Sequence, residues 1–199
     1  MKIISVNTQF YLLLILAGVA MCIGMQVAPL HLEEPRRALV AMEMLYSGEW
    51  IHTTIHGAPY YNKPPLFNWV LAGGYSLFGI QEWVSRAVTV CSHLLIALQL
   101  FVLTRKHVHE RAALIAAGFY LVGGDILFYF SYVGEIDIFF SLLVVTGWFA
   151  FFAAWQRQRY ALAYNALYGF MFLAFITKGL PGIVFLAFSL GIWLWYTHR

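Results

Sequence analysis

Uncharged apolar runs follow one another along most of the chain, and one long polar passage, from His31 to Trp69, interrupts them. The first run, residues 9–30, holds 22 residues without a charge; about 20 such residues cross the hydrocarbon core of a bilayer. Lys2 precedes it, and a basic start with an apolar core also marks signal peptides. This run is long for that purpose and no small-x-small cleavage site precedes Glu33, so it reads as a membrane span. Further spans are expected at 84–103, 111–130, 138–155, 161–177 and 181–197.

The polar passage has a pattern of its own. Ala38, Val40, Ala41, Met44 and Leu45 recur at mixed i, i+3, i+4 spacing, which predicts a helix over 33–46 lying along the membrane surface. Pro35 suits its first turn, where a missing N–H costs nothing, and Gly48 marks its end. Residues 49–65, rich in Gly, Pro, His, Thr and Tyr, predict an ordered loop. Pro64 and Pro65 open a second helix over 66–80; it is short and weakened by Gly73-Gly74, so an interfacial or re-entrant helix is expected rather than a span. The predicted fold class is all-α: one polytopic membrane domain over 1–199, about six transmembrane helices, and an external loop, 31–80, carrying interfacial helices.

Composition agrees. At 62% hydrophobic and 11% charged, 199 residues are too apolar for a soluble domain. The net charge of +3 is small and scattered, which excludes nucleic acid as a partner. Cys22 and Cys91 both fall in apolar segments, so a disulfide framework is excluded. Charge position is more informative than charge sum. With the N-terminus cytoplasmic, Lys2, Arg105, Lys106, Arg111, Arg157, Arg159 and Arg199 all lie in inside segments, with Glu110 the one acid among them. The other acids, Glu33, Glu34, Glu43, Glu49, Glu82, Asp125, Glu135 and Asp137, fall on the outer side or in the outer half of a span, and the gathering of Lys and Arg in short inside connectors agrees with the positive-inside rule.

This topology gathers chemistry on one face. Glu33, Glu34, Arg36, Arg37 and Lys63 belong to the first loop, Glu135 and Asp137 to the turn after span three, and Lys178 to the turn after span five. Charges at a hydrocarbon boundary are costly to hold and point to function. Cations suit a lipid-borne phosphate, they stabilise it as a leaving group, and a carboxylate takes the proton of an attacking hydroxyl.

The run Glu33-Glu34-Pro35-Arg36, then Met44-Leu45 with Gly48 and Trp50, then Gly57, Pro59-Tyr60, Lys63-Pro64-Pro65-Leu66 and Trp69, resembles the first external loop of bacterial GT-C glycosyltransferases of the aminoarabinose-transferase and protein-mannosyltransferase-like group. Asp137 and Lys178-Gly179 look like the family's later marks. The resemblance implies a transferase in the bacterial inner membrane with its site facing the periplasm. It would move a sugar from an undecaprenyl-type phosphate donor to a lipid, glycan or protein hydroxyl. It implies Glu33 and Asp137 as the acids of the catalytic centre, with Glu34 not separated from Glu33, and Arg36, Lys63 and Lys178 on the donor phosphate. Tyr60, Tyr61 and Trp69 offer faces for stacking on a sugar.

The chain departs from the family in two places. The family usually has Asp at the position of Glu33, and one more methylene moves a carboxylate by roughly an ångström, enough to change which acid is the base. It often has Tyr at the position of Arg37. Family members also carry further spans, so the resemblance covers the front part of the family, and a fragment, a truncated relic or half of a two-chain enzyme is an alternative expectation.

Plainer readings exist for each candidate. The Glu33 to Arg37 cluster would also make a self-paired helix start, Lys63 a snorkelling cation, Asp137 a helix cap, Glu135 a solvated acid and Lys178 a boundary cation. His52 and His56 raise a divalent metal, but no third ligand is evident, so cofactor-free, metal-independent chemistry is expected. The rival from another class is a non-catalytic subunit that binds or transports the lipid phosphate, which needs the cations and can spare the acids.

Overall fold

The computed structural model describes residues 5–23, 25 and 29–197. In chain order the elements are α1 (Val6–Cys22), α2 (Glu34–Ser47), a short hairpin of β1 (Thr54–Ile55) and β2 (Ala58–Pro59), α3 (Leu66–Phe78), α4 (Glu82–His107), α5 (Glu110–Leu121), a π-helical turn (Ile126–Phe130), α6 (Ile136–Gln156), α7 (Tyr160–Lys178) and α8 (Leu180–Thr197). The protein is an all-α polytopic membrane protein. Four helices, α4, α6, α7 and α8, are long and apolar enough to cross a membrane, and α1 is a shorter apolar helix.

The boundaries follow local chemistry. α1 starts at Val6 because the Ser5 hydroxyl accepts the Thr8 N–H and caps the first turn. The remainder of the expected first span extends to residues 24 and 26–28, and Lys2 and Arg199 of the inside cation set likewise lie outside the described residues. α2 carries Pro35 in its first turn and ends on Gly48, whose φ of 73° is the left-handed cap geometry that glycine adopts without a Cβ penalty. The expected third span, 111–130, is not continuous. α5 stops at Leu121, the poor helix formers Gly123 and Gly124 follow, and the chain resumes as the π-helical turn, in which the Ser131 N–H reaches the Ile126 carbonyl.

Core packing places α2 and α3 as a shelf over the ends of two long helices. Ala38 and Ala41 of α2 meet Phe67, Leu71, Ala72 and Tyr75 of α3, with Val84 of α4 and Ile136 of α6 beneath them. A second cluster joins α1, α4 and α5 through Met21, Val90, Ala97 and Leu121, and a third joins α6, α7 and α8 through Phe151, Leu167 and Leu186. Two polar pairs inside the bundle join one helix to another, which lowers the cost of holding them in a low-dielectric interior. His93 Nδ1 lies 2.8 Å from the Tyr120 hydroxyl, and Gln99 Nε2 donates to Thr146 at 2.9 Å.

The two ends of the bundle differ. At one end α4 finishes with Arg105, Lys106 and His107, and Arg105 donates to Asn7 at the start of α1. At the other end lie the shelf, the start of α6 and the end of α7, and with them all the candidate site residues.

Candidate functional site

Glu34 fixes the site's floor. Its carboxylate is 1% exposed and receives four donors: Arg86 Nε and the Gly134 N–H on Oε1 at 3.0 and 2.6 Å, and Arg86 Nη2 and the His31 N–H on Oε2, each at 3.1 Å. A carboxylate has about four acceptor positions, so the protein fills them all. Arg86, 0% exposed, also donates to the carbonyls of Met25 at 2.8 Å and Pro29 at 3.1 Å. One acid thereby ties the start of α2 to α4 and to the loop before α6. The pair Glu33 and Glu34, inseparable in the sequence, is separated here. Glu34 is occupied, and Glu33 is the acid left at the surface.

Glu33 is half-exposed and grips Arg36 one helical turn on, with both carboxylate oxygens 2.6 and 2.8 Å from Nη1. Glu33 first, then Tyr60, hold the Arg36 proton more tightly than usual. Arg37, the next residue, is buried instead, at 3% exposed. Burial draws its pKa below the ordinary arginine value, opposed by Tyr60, Glu33 and Glu135.

The loop arrives at this cluster by a set of clamps. Glu43 of α2 accepts from the Thr54 hydroxyl and from the N–H groups of His56 and Gly57, holding the hairpin on α2. Glu49 accepts from the N–H groups of Ile51 and His52. Trp69 Nε1 donates to the Trp50 carbonyl at 2.6 Å, pinning the loop to α3. Of the three candidate stacking rings, Trp69 is therefore engaged in holding the loop, Tyr61 is 66% exposed, and Tyr60 stands beside Arg36 and Arg37. His52 and His56 belong to the clamps, and among the described residues no three His, Cys, Asp or Glu side chains group as a metal site.

The remaining wall comes from α6 and α7. Asp137, in the first turn of α6, forms an ion pair with Lys178, the last residue of α7, whose ammonium also lies 5.4 Å from the centre of the Phe140 ring. Lys63 is close enough for its charge to act on Lys178, as does Glu135. Glu135 is partly buried, and burial first, then Glu33, push its pKa upward, against Arg37 and Lys178. Acids Glu33, Glu135 and Asp137 and cations Arg36, Arg37, Lys63 and Lys178 thus share one cluster at one end of the bundle.

Three members were not marked as site residues by the sequence. Arg86 stands a few residues inside an apolar span, where a cation needs a buried acid; that was its only signal, and the partner is 52 positions away. Glu135 carries nothing in its neighbourhood to separate it from a solvated acid. Arg37 was visible only as part of a charged run.

A family profile described as dolichyl-phosphate-mannose-protein mannosyltransferase matches residues 62–198. An uncharacterised protein of Aquifex aeolicus is 32% identical over 171 residues, covering 82% of this chain and 36% of that protein. An undecaprenyl phosphate-alpha-4-amino-4-deoxy-L-arabinose arabinosyl transferase 2 of Pseudomonas fluorescens is 30% identical over 152 residues, 74% of this chain and 26% of its own length. Among solved structures, ArnT from Cupriavidus metallidurans in the apo state superposes with a TM-score of 0.79 at 25% identity, over 98% of this chain and 37% of that one. The chain therefore spans about a quarter to slightly over a third of the length of these relatives. Matched across the stretch that contributes Lys63, Glu135, Asp137 and Lys178, it belongs to the dolichyl-phosphate-mannose-protein mannosyltransferase family.

Proposed function

We propose that this chain carries the donor-binding and proton-accepting groups of a glycosyltransferase that moves a sugar from a polyprenyl phosphate to a hydroxyl of a lipid, glycan or protein. The observation that carries the reading is the clustering of Asp137, Lys178, Lys63, Glu33 and Glu135 at one end of the bundle. The names of the arabinosyl transferase relatives, and a structure of the Cupriavidus protein bound to undecaprenyl phosphate, support a lipid phosphate as the donor.

In the proposed step the acceptor oxygen attacks the anomeric carbon, the bond from that carbon to the phosphate oxygen breaks, and the electron pair leaves on the phosphate. Lys63 and Lys178 neutralise the charge that grows there. Glu33 receives the hydroxyl proton, and Asp137 orients the Lys178 ammonium. Tyr60 and Tyr61 of the loop, with Trp69 at the start of α3, offer ring faces to the sugar. Because ammonium groups supply the positive charge, the step is proposed to run without a metal. The cation-rich connectors, with Arg105, Lys106, Arg111, Arg157 and Arg159, favour a cytoplasmic location for the opposite end. The site then faces the outer side of a bacterial inner membrane.

The test is transfer of a radiolabelled sugar from its undecaprenyl phosphate by membranes holding the chain, wild type against Glu33→Gln and Lys63→Ala. Both variants are expected to lose most of the turnover, and wild type to keep it after chelation with EDTA. Near-normal transfer in both variants removes the assignment.

A further inference from the structure

This inference rests on the donor-phosphate reading above and concerns which guanidinium serves it. Two arginines are buried at this end of the protein, and their surroundings differ. Arg86 is satisfied by the Glu34 carboxylate and by the carbonyls of Met25 and Pro29. Arg37 is 3% exposed, its Nε has no partner, and among the described residues its guanidinium makes no hydrogen bond or ion pair.

A guanidinium removed from water without hydrogen bonds is among the most costly groups a fold can hold. The charges around Arg37 do not discharge that cost at contact distance. Glu33 has both oxygens committed to Arg36. Glu135 acts on Arg37 through space, without a hydrogen bond, and its own burial favours the neutral acid. The surroundings of Arg86 show that this same fold can complete an arginine when the role is structural. Arg37 is left open beside Tyr60, Glu33 and Glu135, the residues that border the proposed donor site.

We propose that Arg37 is an oxyanion-binding residue, kept buried and unpaired so that its planar fork closes on a phosphate of the substrate. Arg36, by contrast, is the exposed partner of Glu33 and holds that acid in position. The chemistry recognised is a phosphate oxyanion, supplied either by a polyprenyl phosphate headgroup or by free phosphate. A guanidinium with no protein partner gives a preorganised two-point donor to either.

The test uses the full chain in detergent with Arg37→Met, which keeps the stem and removes the charge, and with Arg37→Lys. Three probes are titrated: undecaprenyl phosphate, undecaprenol and orthophosphate. Wild type is expected to bind undecaprenyl phosphate, and Arg37→Met to bind it roughly 10- to 100-fold more weakly, the loss expected for a charge-assisted hydrogen-bond pair. Arg37→Lys should recover part of the affinity, and undecaprenol binding should be equal in wild type and both variants. Orthophosphate that protects wild type from thermal unfolding, and not Arg37→Met, identifies free phosphate as a ligand; protection by the lipid phosphate alone identifies the headgroup. A thermal midpoint without ligand as high in Arg37→Met as in wild type, or higher, supports a group held ready for a ligand. A large drop shows a structural arginine and overturns the inference. Equal binding of undecaprenyl phosphate by wild type and Arg37→Met overturns it while leaving the donor reading intact, and no binding by wild type overturns both.

Discussion

Glu34 and Arg86 form a two-point ion pair sealed from solvent, Nε on Oε1 at 3.0 Å and Nη2 on Oε2 at 3.1 Å, with 52 positions of chain between them. Breaking such a pair from one side leaves a buried charge with nothing to face it, and costs about 3–5 kcal/mol. Glu34→Gln and Arg86→Met are each expected to lower the thermal midpoint in detergent by that order of stability. The double variant should be less destabilised than the two single effects combined, because neither charge is then left alone. It should not return to wild type, since the carbonyls of Met25 and Pro29 lose their donor and the glutamine amide has one acceptor oxygen for the N–H groups of Gly134 and His31. Additive losses would show that the two side chains are not coupled.

Asp137 and Lys178 join α6 to α7 at the rim, partly exposed, where an ion pair contributes little to stability. Their substitution therefore separates function from folding. Asp137→Asn is expected to leave the thermal midpoint within about 1 kcal/mol of wild type and to lower the transfer rate. Lys178→Ala is expected to raise KM for the lipid donor and lower kcat, because in the proposed step the ammonium faces the phosphate in both the bound donor and the leaving group. A thermal collapse in either variant, with activity lost in proportion to unfolded protein, would assign the pair to structure instead.

Glu135 supplies a pH signature. Its pKa is raised above the ordinary 4.5 by burial and by Glu33, with Glu34 adding to this and Arg37 and Lys178 opposing. A carboxyl whose folded pKa lies above its unfolded one binds its proton more tightly when folded, so its contribution to stability is full below pH 4.5 and is lost as pH rises through the folded value. Glu135→Gln is expected to flatten that part of the stability profile and to leave the variant at least as stable as wild type at neutral pH. Thermal midpoints of both proteins across pH 4 to 8, roughly the range in which such a group titrates, check this; parallel curves would count against it.

How much of this arrangement the sequence discloses depends on whether a residue's partner is near it in the chain. The helix α2, Pro35 in its first turn and the Gly48 stop are legible because a helix repeats its chemistry every three or four residues. The long spans α4, α6, α7 and α8 are legible because 18 or more apolar residues leave few alternatives. The break after Leu121 is less so: Gly123 and Gly124 weaken a helix without saying where the chain will resume. The two-residue strands are hidden in a loop too short to alternate. Within the site, Glu33, Lys63, Asp137 and Lys178 stand out as charges at the rim of apolar runs. What separates Glu33 from Glu34 is Arg86 and the Gly134 N–H, and no local pattern announces either.

The loop from Trp50 to Tyr61 owes its shape to Glu43, whose pKa is lowered mainly by the Thr54 hydroxyl and further by the His56 and Gly57 N–H groups. A carboxyl with a depressed folded pKa contributes stability above its unfolded value near 4.5 and loses it as pH falls through the folded one. Glu43→Gln is expected to keep the global midpoint close to wild type while speeding amide exchange and proteolysis at residues 51–61 at neutral pH. Wild type should show the same loosening only under acid. Unchanged exchange in the variant would mean that Trp69 and the hairpin alone hold the loop.

Gly134 is where stability and chemistry meet most tightly. Its N–H donates to Glu34 at 2.6 Å, and a Cβ placed on it would lie 2.7 Å from both Cβ and Oγ of Ser85. Those atoms belong to a short side chain at the start of α4, next to Arg86, so they have little room to give. Gly134→Ala must move either the loop or α4, and the loop carries Glu135 and leads directly into Asp137. The expected result is destabilisation of about 1–3 kcal/mol, typical of overpacking, together with a fall in kcat larger than the loss of folded protein explains, because displacing a catalytic group by about an ångström can cost 10²-fold in rate. Ser85→Gly in the same background removes the two shortest contacts, leaving the one of 3.0 Å to the Ser85 carbonyl carbon, and should restore part of each. Failure of that second substitution to restore either one would show that the contact between Gly134 and Ser85 does not set the position of the acids.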